Sequence, residues 1–164
     1  MKKFYPVNIP RVTNNDIKNV TKVMKESWIS SDGPDVKNFE YKFSKFINKK
    51  YSVAVSNGTA ALEIAMKAIG IGKGDEVIIP NFTIISNALA VIKLGAKPVL
   101  IDCGLHDWNI NINDLNKKIT KKTKAIIPVH LYGHPCSIEK ILRIAKKYKL
   151  KIVEDCAQAH LTKY

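Results

Sequence analysis

The sequence predicts an α/β fold: a mostly parallel sheet with helices on both faces. Three observations carry that expectation. Short apolar runs at Val77-Ile78-Ile79, Pro98 to Ile101, Ala125 to Val129 and Lys151 to Val153 show no polar alternation, as strands buried on both faces do. Stretches with helical periodicity separate them, the pattern of strand–helix–strand units. The chain has 164 residues, 46% apolar and 25% charged, which is ordinary globular composition and enough length to bury a core.

Taken in order, Asn14-Asn15-Asp16 offers caps for an amphipathic helix with Ile17, Val20, Val23 and Met24 at helical spacing. Ser30-Ser31-Asp32-Gly33-Pro34 is a turn. A second helix follows with Val36, Phe39, Phe43, Phe46 and Ile47 on one face, a stripe that reads as core packing. Tyr51 to Val55 reads as a short strand, broken by Ser56-Asn57-Gly58-Thr59, and Ala60 to Ile69 as an Ala-rich helix. Gly70 to Gly74 closes that helix, and Val77-Ile78-Ile79 is a buried strand stopped by Pro80. A helix from Thr83 to Leu94 ends at Gly95, and the strand Pro98 to Ile101 ends at Asp102. The spacing then predicts a helix over 112–119, a strand over 125–129, a helix over 138–148 and a strand over 151–153 running into Glu154-Asp155. No repeat, low-complexity linker or interior domain boundary is visible.

Charge and cysteine usage exclude several function classes. The net charge is +13, but 25 of the 27 basic residues are lysine, scattered along a chain also rich in Ile and Asn. That is a compositional bias with solvated helix faces, not the Arg-containing, aromatic-interleaved stripe of a nucleic-acid binder. A positive field of this kind favours an anionic ligand. Cys103, Cys136 and Cys156 form no close pair, so neither a disulfide framework nor a zinc site is expected; they read as buried or half-buried thiols in a reducing compartment. No apolar run reaches membrane-spanning length and no apolar segment follows the basic N-terminus, so the chain is expected to be cytoplasmic, without membrane association.

In doubly covered parallel sheets, ligands bind outside the carboxyl ends of the strands. Three such ends carry unusual polar residues: Ser56-Asn57-Gly58-Thr59, His130 with Tyr132-Gly133-His134, and Glu154-Asp155 through Gln158. At the first, a turn through Gly58 and Thr59 opens a helix. Free amides and the positive helix end make a phosphate site there, although a plain strand–turn–helix junction looks the same. At the third, Asp155 ends an apolar strand and must be paired to stay ionised, either with a protonated ring nitrogen or as a helix N-cap for the segment from Cys156.

Together these segments resemble the family of pyridoxal-phosphate-dependent nucleotide-sugar aminotransferases (the DegT/DnrJ/EryC1/StrS group). The resemblance is carried by Trp28-Ile29-Ser30-Ser31-Asp32-Gly33, Ser56-Asn57-Gly58-Thr59-Ala60-Ala61, Gly74-Asp75-Glu76-Val77-Ile78-Ile79-Pro80 and Gly95-Ala96-Lys97-Pro98-Val99. It continues in Pro128-Val129-His130-Leu131-Tyr132-Gly133-His134-Pro135 and Glu154-Asp155-Cys156-Ala157-Gln158-Ala159-His160, in the family's order and along nearly the whole chain. Within the family, the Trp-Ile-Ser-Ser and Tyr-Gly-His-Pro-Cys blocks look most like perosamine-synthase-type enzymes, which aminate C4 of a GDP-linked 4-keto-6-deoxy sugar.

The resemblance implies the large domain of fold type I, aspartate-aminotransferase-like, with residues 1–164 as its N-terminal part and the C-terminal small domain absent. It implies pyridoxal 5'-phosphate as cofactor, held at its phosphate by Gly58 and Thr59, at its ring nitrogen by Asp155 and at its phenolic oxygen by Gln158. Ile84 stands where the family usually lays a flat side chain on the ring, and Leu161 follows His160 where the family has Gly. The implied substrates are a nucleotide sugar and glutamate as amino donor, and the implied assembly is a homodimer. The Schiff-base lysine of the family is expected beyond Tyr164, and none of the 25 lysines here stands in its sequence context. A sugar dehydratase of the same family, with His at that lysine position, and a non-catalytic binding module are the alternatives. No catalytic residue and no metal ligand is assigned within the chain.

Overall fold

In the computed structural model, which describes residues 3–6 and 9–164, the chain divides into two units, Met1–Ala54 and Val55–Tyr164. The Met1-Lys2 opening of the basic N-terminus lies outside the described residues.

The first unit holds α1 (Asn14–Lys25) and α2 (Pro34–Phe46). The cap of α1 is Thr13 rather than the Asn-Asn-Asp run. Its hydroxyl oxygen accepts from the Asp16 amide at 3.3 Å, and Asp16 accepts in turn from the Thr13 amide at 2.7 Å, a reciprocal capping box. The Thr13 hydroxyl, which also donates to Asp16 Oδ2 at 2.7 Å, and then the Thr13 amide hold the Asp16 carboxyl below its usual range. Pro34 opens α2, where its missing amide costs nothing. The Phe39, Phe43, Phe46 stripe is not core: all three rings are exposed, and Phe39 stacks on Phe43 at 5.7 Å. The helical period is as read, but no element of this unit covers the stripe.

The segment Tyr51 to Val55 is also not a strand. It pairs with no strand among the described residues, and Tyr51 and Val53 point outward at 74% and 73% exposure. An apolar alternation becomes a strand only with a neighbour to take its amides and carbonyls. The segment is tied down instead by Glu40, whose carbonyl accepts from Ser52 Oγ at 2.6 Å and whose carboxylate accepts from the Ala54 amide at 2.8 Å.

The second unit is the predicted α/β layer structure. Strands β1 (Glu76–Pro80), β2 (Lys97–Ile101), β3 (Thr123–Ile126) and β4 (Lys151–Ile152) form one sheet in the order β2-β1-β3-β4, every pair parallel. Helix α3 (Gly58–Ala68) precedes β1 in the chain, and α4 (Ser86–Lys93) links β1 to β2. Helix α5 (Ile112–Lys118) leads from β2 past β1 to β3, and α6 (Ile138–Tyr148) from β3 to β4. Alternate residues of the central strands feed two cores. Val77, Ile79, Ala125 and Ile127 meet Leu62 and Met66 of α3 and Ala90 and Val91 of α4 on one face. Ile78 and Ile126 meet Leu115 of α5 and Ile138 and Ile141 of α6 on the other. This two-faced burial is why the strands carry no polar alternation.

Helix α4 starts at Ser86, later than the periodicity predicts. Lys149, at φ +56°, ends α6 in the left-handed region and turns the chain into β4. Among the described residues, no helix is long and apolar enough to cross a membrane.

Ile78 is fully buried between β1's neighbours and α5–α6. Ile78→Ala is expected to destabilise the second unit by about 2–5 kcal/mol in urea unfolding, whereas Leu142→Ala on the exposed side of α6 should cost no more than about 0.5 kcal/mol. Equal costs for the two substitutions would contradict the two-core description.

Candidate functional site

The chain leaves β1 toward β2 on one side and returns to β3 on the other, so the carboxyl ends of β1 and β3 flank the point where connections diverge. Beyond those ends the sheet continues as a single bridge, Val129 with Asp155. The Asp155 amide donates to the Pro128 carbonyl at 2.9 Å, and the His130 amide donates to the Asp155 carbonyl at 3.1 Å. This backbone pairing seats Asp155, 8% exposed, at the mouth of the crevice.

The Asp155 carboxylate has two donors, one on each oxygen. The Ala157 amide reaches Oδ1 at 3.0 Å, and the side-chain amide of Asn87 reaches Oδ2 at 3.0 Å. The first contact is the local cap anticipated from sequence, although the segment after Cys156 forms turns and no regular helix. The second comes from α4, 68 residues away in sequence.

Gly58 and Thr59 lie in the first turn of α3. Asn57 caps that turn, its Oδ1 accepting from the Ala60 amide at 2.9 Å and its carbonyl from the Ala61 amide at 3.1 Å. The amides of Gly58 and Thr59 precede the helical ladder and point out of its positive end. A Cβ added at Gly58 would meet nothing within 4 Å, so the space over this turn is open. Thr59 Oγ1 donates to Ser86 Oγ at 3.0 Å. Consecutive residues of α4, Ser86 and Asn87, thus hold the Thr59 turn and Asp155 at once.

Gln158 is exposed, and its Oε1 accepts from the Tyr132 amide at 3.1 Å, which leaves its NH2 group as a free-facing donor. That amide is presented by a 3-10 turn over Leu131–Gly133 in which Tyr132 sits at φ +51°. Ile84 is 63% exposed in the loop between β1 and α4. The structure therefore links Thr59 with Asp155 through α4 and anchors Gln158 on the loop after β3. Ile84 stays largely exposed.

Ser86 and Asn87 were not singled out from sequence. The available signal was a polar pair inside the otherwise apolar run Ile84 to Ile92, with Asn87 on the same face as Ala90 and Val91. Asn87 is fully buried, and its Oδ1 has no hydrogen-bond partner among the described residues.

His130 is buried behind the site. Its Nε2 lies 3.1 Å from Glu154 Oε2, and its Nδ1 accepts from the Cys136 amide at 3.0 Å. Of the two neutral tautomers, only the one with its proton on Nε2 satisfies both contacts. Hydrogen bonds with Cys136, Cys156 and Glu154, in that order, push the imidazole up to about 11, against the desolvation that lowers it. The Cys136 amide works against that push, because a second proton on Nδ1 breaks its bond. Cys136 Sγ also donates to the Val129 carbonyl at 3.2 Å.

Cys156 is exposed, unlike the buried or half-buried thiol expected, and Cys103 and Cys136 are half-buried and buried. His130, Glu154 and Cys156 bring possible ligand atoms within 4.8 Å of one another, a grouping that cysteine spacing alone did not suggest. A cation on Nε2 requires the other tautomer, whose Nδ1 proton would face the Cys136 N–H.

The chain belongs to the DegT/DnrJ/EryC1/StrS aminotransferase family, whose model matches residues 10–164. It is 43% identical over 162 residues to the GDP-perosamine synthase of Escherichia coli O157:H7, covering 99% of this chain and 44% of that protein. It is 45% identical over 141 residues to the dTDP-3-amino-3,6-dideoxy-alpha-D-galactopyranose transaminase of Aneurinibacillus thermoaerophilus, covering 86% and 39%. The fold matches the aminotransferase from Psychrobacter cryohalolentis with TM-score 0.89 and 36% identity, over 99% of this chain and 41% of that one. It matches the PLP form of a putative sugar aminotransferase from Streptococcus pneumoniae with TM-score 0.86 and 30% identity, over 93% and 43%. The chain therefore spans less than half the length of the relatives it matches. Pyridoxal phosphate is the cofactor that the family and its solved structures indicate.

Proposed function

We propose that these residues form the cofactor-binding part of an enzyme that transfers an amino group from glutamate to a nucleotide-linked keto-deoxy sugar. The carrying observation is the double tie made by Ser86 and Asn87, which holds a helix N-terminus and a buried carboxylate in one crevice.

The residues fit pyridoxal 5'-phosphate. The Gly58 and Thr59 amides, the two hydroxyls of Thr59 and Ser86 and the positive end of α3 match a phosphate, with open space above Gly58. Asp155 offers an anionic acceptor to a protonated ring nitrogen, and the Gln158 NH2 offers a donor to a phenolic oxygen. Ile84 supplies an aliphatic surface beside the ring. When bound, the cofactor supplies an electron sink for carbanion chemistry at the amino-bearing carbon. The protein's part is to keep that sink charged through Asp155 and to fix its plane between the phosphate cradle and Gln158. His130, bonded to Glu154 and held by the Cys136 amide, stiffens the strand end next to Asp155.

The amino-accepting sugar is, on this reading, a GDP-linked 4-keto-6-deoxyhexose, as the likeness to GDP-perosamine synthase over 99% of this chain suggests. The +13 charge favours such an anionic substrate. A cytoplasmic setting suits three free cysteines. The lysine that anchors the cofactor covalently in the family is not among these 164 residues on this reading. Association with a second copy is supported by the exposed Ile17, Val20 and Met24 stripe of α1.

The 164-residue chain is expected to bind pyridoxal 5'-phosphate weakly and without a covalent bond. Absorbance titration should show saturable binding that Asp155→Ala abolishes, and borohydride should leave no pyridoxyl group on a unique lysine. Saturable binding unaffected by Asp155→Ala would remove the proposed site, and a single trapped lysine would relocate the anchor. Sedimentation at rising concentration should show a monomer–dimer shift; a monomer throughout would remove the dimer from this reading.

A further inference from the structure

We propose that Asn87 is a positioning residue for Asp155. It fixes the carboxylate plane so that Oδ2 keeps one lone pair directed at the nitrogen of a bound pyridinium ring. This rests on the cofactor reading above and assigns a role to a residue that touches neither cofactor nor substrate.

The argument starts from cost. Helix α4 packs into an apolar core made by Leu62 and Met66 of α3 and Val77 and Ile79 of β1, and its inward positions are Asn87, Ala90 and Val91. A primary amide on that face is fully buried, with Oδ1 unpartnered among the described residues, which is unfavourable unless the rest of the group is needed. The Nδ2 group is fully used. One contact goes to Asp155 Oδ2 at 3.0 Å and the other to Thr83 Oγ1 at 3.2 Å. Reversing the amide would turn Oδ1 against a carboxylate, so the nitrogen must face Asp155. Thr83 holds the amide from the preceding turn and so sets the angle at which it meets the carboxylate.

Among the described residues, the Asp155 carboxylate has one further donor, the Ala157 backbone amide on Oδ1, which belongs to its own turn. That local contact moves with the turn. The Asn87 contact instead refers the carboxylate to α4, and Ser86, one residue earlier, refers the Thr59 turn to the same helix. The first turn of α4 thereby sets the separation between the phosphate cradle and the carboxylate.

Two variants of the 164-residue chain test this, using pyridoxal 5'-phosphate as the probe. Asn87→Ala is expected to weaken binding about 10- to 100-fold, the loss of one hydrogen bond to a charged group. Asn87→Asp keeps the shape but sets a second carboxylate against Asp155. Among the described residues, Asp155 is the titratable side chain within hydrogen-bond distance of position 87; Thr83, the other partner, does not titrate. At pH 8 the two carboxylates repel, and binding relative to wild type at the same pH should fall at least tenfold. At pH 5.5 one proton shared between them restores the bond, and the ratio should return to within about threefold of wild type. The urea midpoint of Asn87→Asp, read without cofactor, should follow the same pH dependence. Should Asn87→Ala fail to fold, the isosteric Asp variant carries the test alone. Wild-type-like binding by both variants, or an Asp-to-wild-type ratio independent of pH, overturns the assignment while leaving the cofactor reading in place. A wild-type chain that binds no pyridoxal phosphate overturns the cofactor reading and the role of Asn87 together.

Discussion

The parallel pairing of β1 with β3 is the constraint on which the second unit depends. Both strands are buried on both faces, so their backbone groups must satisfy one another. The Ile127 amide donates to the Ile78 carbonyl at 2.8 Å, carrying the ladder past the end of β3. A parallel pair cannot be closed by a hairpin, and here the chain reaches β3 only after passing through α4, β2 and α5. That detour places the loops after β1, β3 and β4 on the same edge of the sheet. A crevice there follows from connectivity before any particular side chain is considered.

Within the crevice, polar chemistry comes from groups whose backbone is already committed. Asp155 is both the last bridge of the sheet and the buried carboxylate of the site, so it cannot shift without breaking the pairing with Val129 and the loop at His130. The start of α3 provides the opposite kind of group, amides left over because a helix has no earlier turn to bond them. Helix α4 joins the two through Ser86 and Asn87, and its late start after the Thr83-Ile84-Ile85 run puts those side chains in reach. The buried His130 and Cys136, with the exposed Glu154 bonded to the ring, lie on the far side of the same strand end, because consecutive side chains of extended backbone alternate in direction. Membership of the DegT/DnrJ/EryC1/StrS aminotransferase family accords with this arrangement, in which a helix N-terminus and a buried acid are tied to one helix.

The expectations that failed share one physical cause. The Phe39, Phe43, Phe46 stripe and the Tyr51 to Val55 segment have the periods of a helix face and a strand, and the structure keeps the first period while covering neither. Periodicity reports which side of an element is apolar; it carries no information about what lies opposite. The cap of α1 was misplaced by one residue for a similar reason: Thr13 and Asp16 complete each other, and a run of three polar residues conceals which pair closes. The strand over 77–79 and the helix over 138–148 match the structure nearly to their ends, because burial on both faces, or a strongly two-sided helix, leaves one solution.

The sequence by itself determined the α/β class with its parallel strands, the family, and the place of Asp155 just past the last strand and of Gly58 and Thr59 at the start of a helix. It could do so because hydrophobic period, turn residues and motif order are local properties of the chain. Only the tertiary structure decided which groups meet. Asn87 and Asp155 are 68 residues apart and Thr59 and Ser86 are 27 apart, and no local pattern encodes either bond. The same holds for the tautomer of His130, which depends on an amide and a carboxylate brought to opposite sides of one ring. Contacts of that kind are fixed by the packing of whole elements, and packing is what a one-dimensional reading leaves out.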